Sequence, residues 1–276
     1  MTKTIVVMGG TGQQGGGVNV MLQTPSWKVS VIKRNTSSSK AKGLVSKGAE
    51  VVKADSDDEP SMKKAFEEEQ QAMTIARAAS MTAALEHFIW STLPNTPKMT
   101  NGKAQVPHFD YKAKVDERIR KELPELAKKT SYLMFGEYPL NCVFYDFMKP
   151  FEVPGSGKHV FIYSTPSAVK IPWSGNMSVS GRIWVRQLLS HAPKSFGKYA
   201  VVVLSGKDAV YVQCSYEEYE RVWGMGGREL GNQLKFGGLV EDCTVGYDVM
   251  GMDELEIKKE EVGGVRESFE GVRGML

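Results

Sequence analysis

The chain has 276 residues, three cysteines and a formal net charge of +3. That length holds one large α/β domain, or a core domain with a smaller lobe, and so small a charge, spread along the chain, argues against direct nucleic-acid binding. Cys142, Cys214 and Cys243 are far apart and odd in number, which excludes a disulfide framework or a C-x-x-C zinc site and fits a reduced cytosolic or nuclear compartment; no run reaches the ~18 apolar residues of a membrane span.

Residues 4–8 read as a buried-looking strand that runs into Gly9-Gly10-Thr11-Gly12-Gln13-Gln14-Gly15-Gly16. A helical pattern follows over 13–23. Exposed N–H groups and the positive end of the macrodipole at such a helix start favour an anion, here a pyrophosphate. Gly9 permits the tight turn, Gly12 lets backbone approach the phosphates, and Gly15 lets helix and strand pack closely. The first strand begins almost at the N-terminus, so no targeting peptide is expected.

A second strand is predicted over 27–32, a polar loop over 33–39, and a short helix to Lys47 with Gly48 as its C-cap. Residues 50–54 form a third strand, and Ser56-Asp57-Asp58-Glu59-Pro60 is a helix-start signal. This β-α-β-α-β rhythm is the first half of a doubly wound parallel sheet. Then the rhythm breaks. From Ser61 to Leu85 the pattern stays helical, which predicts one helix of ~24 residues, about 36 Å long. A strand over 87–91, a helix over 108–122 and a strand over 130–135 follow. Past Pro150 glycine, proline and aromatics rise, with short strands near 159–163, 169–171 and 199–204 and helices over 179–190 and 215–223. The fold expected is α/β: a Rossmann-like parallel sheet over 1–150, lacking its usual fourth strand, and a smaller α+β lobe over 151–276 interwoven with it.

Cofactor choice is read at the end of the second strand. NAD-binding chains place an acid ~20 residues past the glycines, on the ribose hydroxyls. Here Lys33-Arg34-Asn35 stands there, with Ser37, Ser38 and Lys40 close by. A guanidinium suits a 2′-phosphate, so NADP(H) is favoured over NAD. Asp55-Ser56 stands where an adenine amino group would be met. Lys112 is placed to hold a nicotinamide ribose, and the residue four positions before it is His108, not the tyrosine of a Tyr-x-x-x-Lys acid–base pair. Tyr111 is on a different face. His108 or Ser91 is left as the proton donor, against the plainer reading of His108 as a helix-start residue. Cys142 reads as a buried structural thiol rather than a redox one, and Met225, Trp223 and Trp184 as core. Residues 217–221 read as a solvated helix face, and 254–261 and 266–273 as surface. No metal site is expected.

With these motifs the chain resembles the NmrA-like family of atypical short-chain dehydrogenases/reductases, particularly fungal members. The matching residues are the glycine run 9–16, Arg34-Asn35, Ala54-Asp55, residues 87–93, His108-Phe109-Asp110-x-Lys112 and Gly136-Glu137-Tyr138-x-x-Asn141. The resemblance implies a Rossmann domain with a substrate or partner lobe. It implies NADP(H) contacts from Gly9, Gly10, Thr11, Gly12, Gln13, Gln14, Gly15, Arg34, Asn35, Ser38, Asp55, Ser56, Lys112, Tyr138 and Asn141. It also implies either an oxidoreductase acting on a small molecule, in secondary metabolism, or a non-catalytic NADP sensor that binds a regulatory protein. Family members carry a further strand and loop between Phe66 and Glu68. Without it, strand 87–91 is expected to slide in beside strand 4–8, displacing Ser91-Thr92.

Overall fold

The computed structural model describes residues 3–12, 14–15, 21–33, 35–53, 62–155, 158–177, 179–202 and 211–270. The calls on Gln13, Arg34, Asp55 and Ser56 therefore lie outside the described residues. In chain order the elements begin with β1 (Lys3–Met8), β2 (Trp27–Lys33), α1 (Ser39–Val45), β3 (Glu50–Lys53) and α2 (Met62–Ser80). Next come β4 (Phe88–Thr92), α3 (Thr96–Thr100), α4 (Pro107–Glu122), α5 (Pro124–Ala127), β5 (Thr130–Phe135), α6 (Asn141–Phe144), β6 (Phe151–Val153) and β7 (Lys158–Tyr163). The last are α7 (Ser180–Ser190), α8 (Ala192–Ser195), β8 (Tyr199–Val202), β9 (Tyr211–Gln213), α9 (Tyr216–Leu239), β10 (Val249–Met250) and α10 (Val265–Glu270).

The first three strands form a parallel sheet in the order β1-β2-β3, with Ile5 opposite Val29 and Val31 opposite Val51. Val29 and Val31 are buried, as a continuous apolar run in a central parallel strand requires. Between β2 and β3, α1 starts at Ser38, whose Oγ accepts from the Ala41 N–H at 3.3 Å. Gly48, at φ +94°, turns the chain into β3. A second parallel sheet has the order β10-β8-β5-β4. Its central strand β5 is buried at all six positions. Two of its strands, β8 and β10, come from the part of the chain beyond residue 150. A small third sheet, β6-β7-β9, lies with α9 in the rest of that part.

The long helix after β3 is present. α2 runs 19 residues without a break and ends at Ser80. Ala72, Met73 and Ala76 pack on Val115 and Ile119 of α4, with Phe88 and Trp90 of β4 against the same cluster.

The two larger sheets do not join, and this corrects the expectation for strand 87–91. β1 pairs with β2, and β4 pairs with β5, but β1 and β4 are not hydrogen-bonded to each other. Two side-chain contacts link the two sheets. At the start of β1, Lys3 Nζ is 2.9 Å from Glu86 Oε2, two residues before β4. Past the end of β1, Gln14 donates to the Tyr138 hydroxyl, just past β5. In the strand order 3-2-1-4-5-6 the fourth strand separates strand one from strand five. No described strand occupies that place here. α7 packs on both halves. Its Trp184 and Leu188 pack with Leu133 and Ile89 of the second sheet, while Leu189 packs with Ile5, Val7 and Met21 of the first. β1 is half-solvated rather than buried: Val6 and Met8 are 58% and 46% exposed.

Smaller differences have local causes. Residues 169–171 form no strand; Val169 N–H closes a turn onto the Pro166 carbonyl at 3.1 Å, and only Trp173 makes a bridge, to Glu137. The helix expected over 215–223 continues to Leu239 as α9, across a break at Gly224 (φ 59°, ψ −135°). Met225, read as core, is 74% exposed just past that break, whereas Trp184 is buried and Trp223 is half-buried against Phe151. Within the segment read as surface, Leu255 and Ile257 are buried in the core of the second sheet.

Candidate dinucleotide site

At the C-terminal end of β1, Gly9 sits at φ +64° and its carbonyl accepts from the Gly12 N–H at 2.8 Å. A Cβ on Gly15 would stand 2.3 Å from the Gly9 oxygen and 2.7 Å from the Gly10 Cα, so only glycine fits. Gly9 and Gly12 are exposed, leaving bare backbone on the outer side of the turn. The ammonium of Lys33, the last residue of β2, donates to the Thr11 hydroxyl. A fixed cation is thus drawn onto the turn from the strand end where the ribose contact was sought. Lys33 was passed over in favour of Arg34, although the same strand-end position signals both. A positive-φ glycine turn, open backbone and an attached ammonium fit a phosphate group.

Two other predicted ligands of this region serve local structure. Asn35 Oδ1 accepts from Ser37 N–H at 2.9 Å and Ser37 Oγ at 2.7 Å, and Ser38 caps α1.

The loop after β5 meets the glycine turn through the Gln14–Tyr138 hydrogen bond, and burial pushes the Tyr138 phenol up to about 12. Glu137 organises this loop. Its carboxylate accepts from Tyr138 N–H at 3.2 Å, from the Asn141 side-chain amide, and from Gln233 Nε2 of α9 at 2.6 Å. Its backbone is held by Pro172 and Ser174, and a Cβ on Gly136 would stand 2.4 Å from the Pro172 oxygen. Tyr138 is therefore brought to the glycine turn, on a loop that Glu137 ties to Asn141 and Gln233; Glu137 and Gln233 were not selected as site residues. Gln233 carries no sequence signal, because α9 was read as ending at 223.

His108 and Lys112 share one face of α4, a turn apart. His108 Nδ1 lies 2.8 Å from Glu229 Oε1 of α9. Behind them is a buried polar cluster. Asp116, 2% exposed, accepts from Thr92 Oγ1 at 2.8 Å and from the Tyr199 hydroxyl at 3.1 Å. Tyr199 accepts in turn from Arg120 at 2.6 Å, whose guanidinium lies 4.5 Å over the Tyr132 ring. Desolvation outweighs these partners and raises the Asp116 carboxyl to about 7. Thr92 is thus engaged in the interior. Ser91 Oγ is buried with no hydrogen-bond partner among the described residues. Burial pushes the Cys142 thiol up to about 12, as for a structural cysteine. A cavity of about 460 Å³ lined by Lys3, Trp27, Arg186 and Leu189 lies at the opposite end of β1 and is separate from this site. Among the described residues no group of side chains could hold a metal ion, and no helix is long and apolar enough to cross a membrane.

Parallel sheets covered by helices, with a glycine turn at the end of the first strand, define a Rossmann-like α/β protein. The model of the NmrA-like family matches residues 1–208, and the chain belongs to that family. An NmrA-like family domain-containing protein of Dictyostelium discoideum is 29% identical over 220 residues, covering 72% of this chain and 71% of that one. The NmrA-like family domain-containing oxidoreductase FrzB of Cladobotryum sp is 33% identical over 145 residues, covering 44% and 43%. The chain thus spans under half the length of that fungal oxidoreductase. Among solved structures, NmrA, a negative transcriptional regulator, superimposes with a TM-score of 0.68 at 17% identity over 100% of this chain and 94% of its own. Leucoanthocyanidin reductase of Vitis vinifera, solved with NADPH, gives 0.66 at 13% over 97% and 98%.

Proposed function

We propose that this chain binds NADP(H) at the glycine turn and acts as an oxidoreductase on a small molecule. The observation that carries the reading is the turn itself: Gly9 at positive φ, Gly15 with no room for a Cβ, and the Lys33 ammonium fixed to Thr11. Fungal relatives named as oxidoreductases and a neighbour solved with NADPH support it. When bound, the dinucleotide would supply the hydride. The turn and Lys33 would hold phosphate, with Arg34, Asp55 and Ser56 proposed for the adenosine end. Lys112 would orient the ribose, the Tyr138–Asn141 loop would flank it, and His108 would give the proton. Calorimetric titration with NADP, NADPH and NAD tests the binding, and turnover of NADPH with a panel of carbonyl and quinone probes tests the chemistry.

A second reading, a non-catalytic NADP sensor that binds a regulatory protein, is favoured by one observation. Gln14, Tyr138, Glu137 and Gln233 form a continuous hydrogen-bonded path from the glycine turn to α9. Occupancy of the turn would reach the lobe by that path. This reading predicts partner binding that differs between NADP and NADPH, without turnover, and any NADPH turnover counts against it.

A further inference from the structure

At the end of β1 away from the glycine turn, the first sheet and α7 enclose a cavity of about 460 Å³. That size falls in the range of small-molecule sites. Its floor is apolar. Met21 and Leu189 line it from the core cluster of the first sheet, and the half-buried Trp27, the first residue of β2, adds its indole. The charged side chains that line it are both cations: Lys3 of β1, and Arg186 of α7, one turn before Leu189. Glu86 pairs with Lys3 at 2.9 Å and Glu261 stands 3.9 Å from Arg186, but neither carboxylate lines the cavity. The Arg186 contact is beyond hydrogen-bond reach, so the guanidinium fork can still donate to an incoming acceptor. Ser26 also lines the cavity. It sits at φ 69°, where a non-glycine residue is strained, and its carbonyl accepts from Lys3 N–H at 2.8 Å, which ties this turn to β1.

A hollow lined by two cations and no acid favours an anion. The planar fork of arginine matches a carboxylate in two parallel hydrogen bonds. The apolar floor calls for an apolar body on the same molecule, because a bare inorganic anion would give up its hydration there without a partner. We propose that this cavity is a second ligand site, distinct from the glycine turn, for a small carboxylate carried on an aromatic or aliphatic body. The carboxylate meets Arg186 and Lys3, and the body lies against Trp27, Met21 and Leu189. The occupant touches both the first sheet and α7, and α7 also packs on the second sheet, so it adds a contact between halves that share no strand pair.

Titration of the full chain with 2-naphthoate, beside the uncharged 2-naphthol, tests the proposal through the indole N–H signals in ¹H–¹⁵N spectra. The Trp27 signal, identified with Trp27→Phe, should move saturably, while that of Trp90, packed with α2 and α4, stays. The affinity of 2-naphthol should be about tenfold lower, and Arg186→Gln should weaken 2-naphthoate binding about tenfold, as for loss of one charge-assisted hydrogen bond. Lys3→Gln is the second variant and should weaken it in the same direction. Both cationic side chains are well exposed, so the melting temperature of each variant should match that of the parent. Saturating NADP should leave the titration unchanged. An unmoved Trp27 signal, equal affinity for 2-naphthol, or full affinity in both folded variants overturns the proposal. Displacement of 2-naphthoate by NADP also overturns it, by placing the probe at the glycine turn.

Discussion

The buried Asp116 and the half-buried His87 give the chain a pH-stability profile that single substitutions should unmask. Desolvation raises Asp116 from 3.8 to about 7 and lowers His87 from 6.5 to about 4. Folded Asp116 keeps a proton that the unfolded chain has shed. Its contribution is complete below pH 3.8 and is lost as pH rises through about 7. His87 does the opposite: its contribution is complete above pH 6.5 and is lost as pH falls through about 4. At 1.36 kcal/mol per unit, Asp116 removes about 4 kcal/mol across its range and His87 restores about 3 kcal/mol across its own. The two slopes nearly cancel between about pH 4 and 6.5, so the parent chain should be almost flat there. Asp116→Asn cannot ionise but keeps an acceptor for Thr92 and Tyr199. It should gain about 3 kcal/mol of stability from pH 4 to 6.5, and His87→Gln should lose a similar amount. Urea unfolding at unit pH steps measures this directly, and an Asp116→Asn profile parallel to that of the parent would refute the assignment of a neutral buried carboxyl.

Other consequences follow from the same geometry. Gly15→Ala puts a Cβ 2.3 Å from the Gly9 oxygen, so it should abolish dinucleotide binding and destabilise the chain by about 2 kcal/mol or more, seen in calorimetry and melting. Lys33→Ala removes a charge-assisted contact and should weaken NADP binding about tenfold with little change in stability. The open seam predicts that alternate amides of β1 and β4 exchange rapidly with deuterium while those of β5 are all protected; uniform protection of β1 would mean that the sheets are joined.

Much of the fold was legible because its signals are local. β5 matches its predicted range, and the long α2 was visible as an unbroken helical period. The break in rhythm after β3 was equally plain, but its consequence was not. β1 and β4 stay unpaired, and the element that packs on both halves is α7, a helix nearly one hundred residues further on. α9 was read as ending at 223, just before a run of glycines. In the structure they are packing requirements: a Cβ on Gly226 would stand 2.7 Å from the Phe147 ring, one on Gly227 2.7 Å from the Tyr219 oxygen, and one on Gly231 2.7 Å from the Tyr216 ring. Losing α9 meant losing Glu229 and Gln233. The glycine turn and the Tyr138 loop were found because their chemistry lies in adjacent residues, whereas the groups that organise them come from distant elements.

The central claim is that a sheet split between β1 and β4 still presents a working NADP(H) turn. Isothermal titration of the full chain with NADP, NADPH and NAD, beside Gly15→Ala, tests it most directly. The account predicts micromolar NADP binding, weaker NAD binding, and no binding by the variant. A folded parent chain that binds none of the three would contradict it.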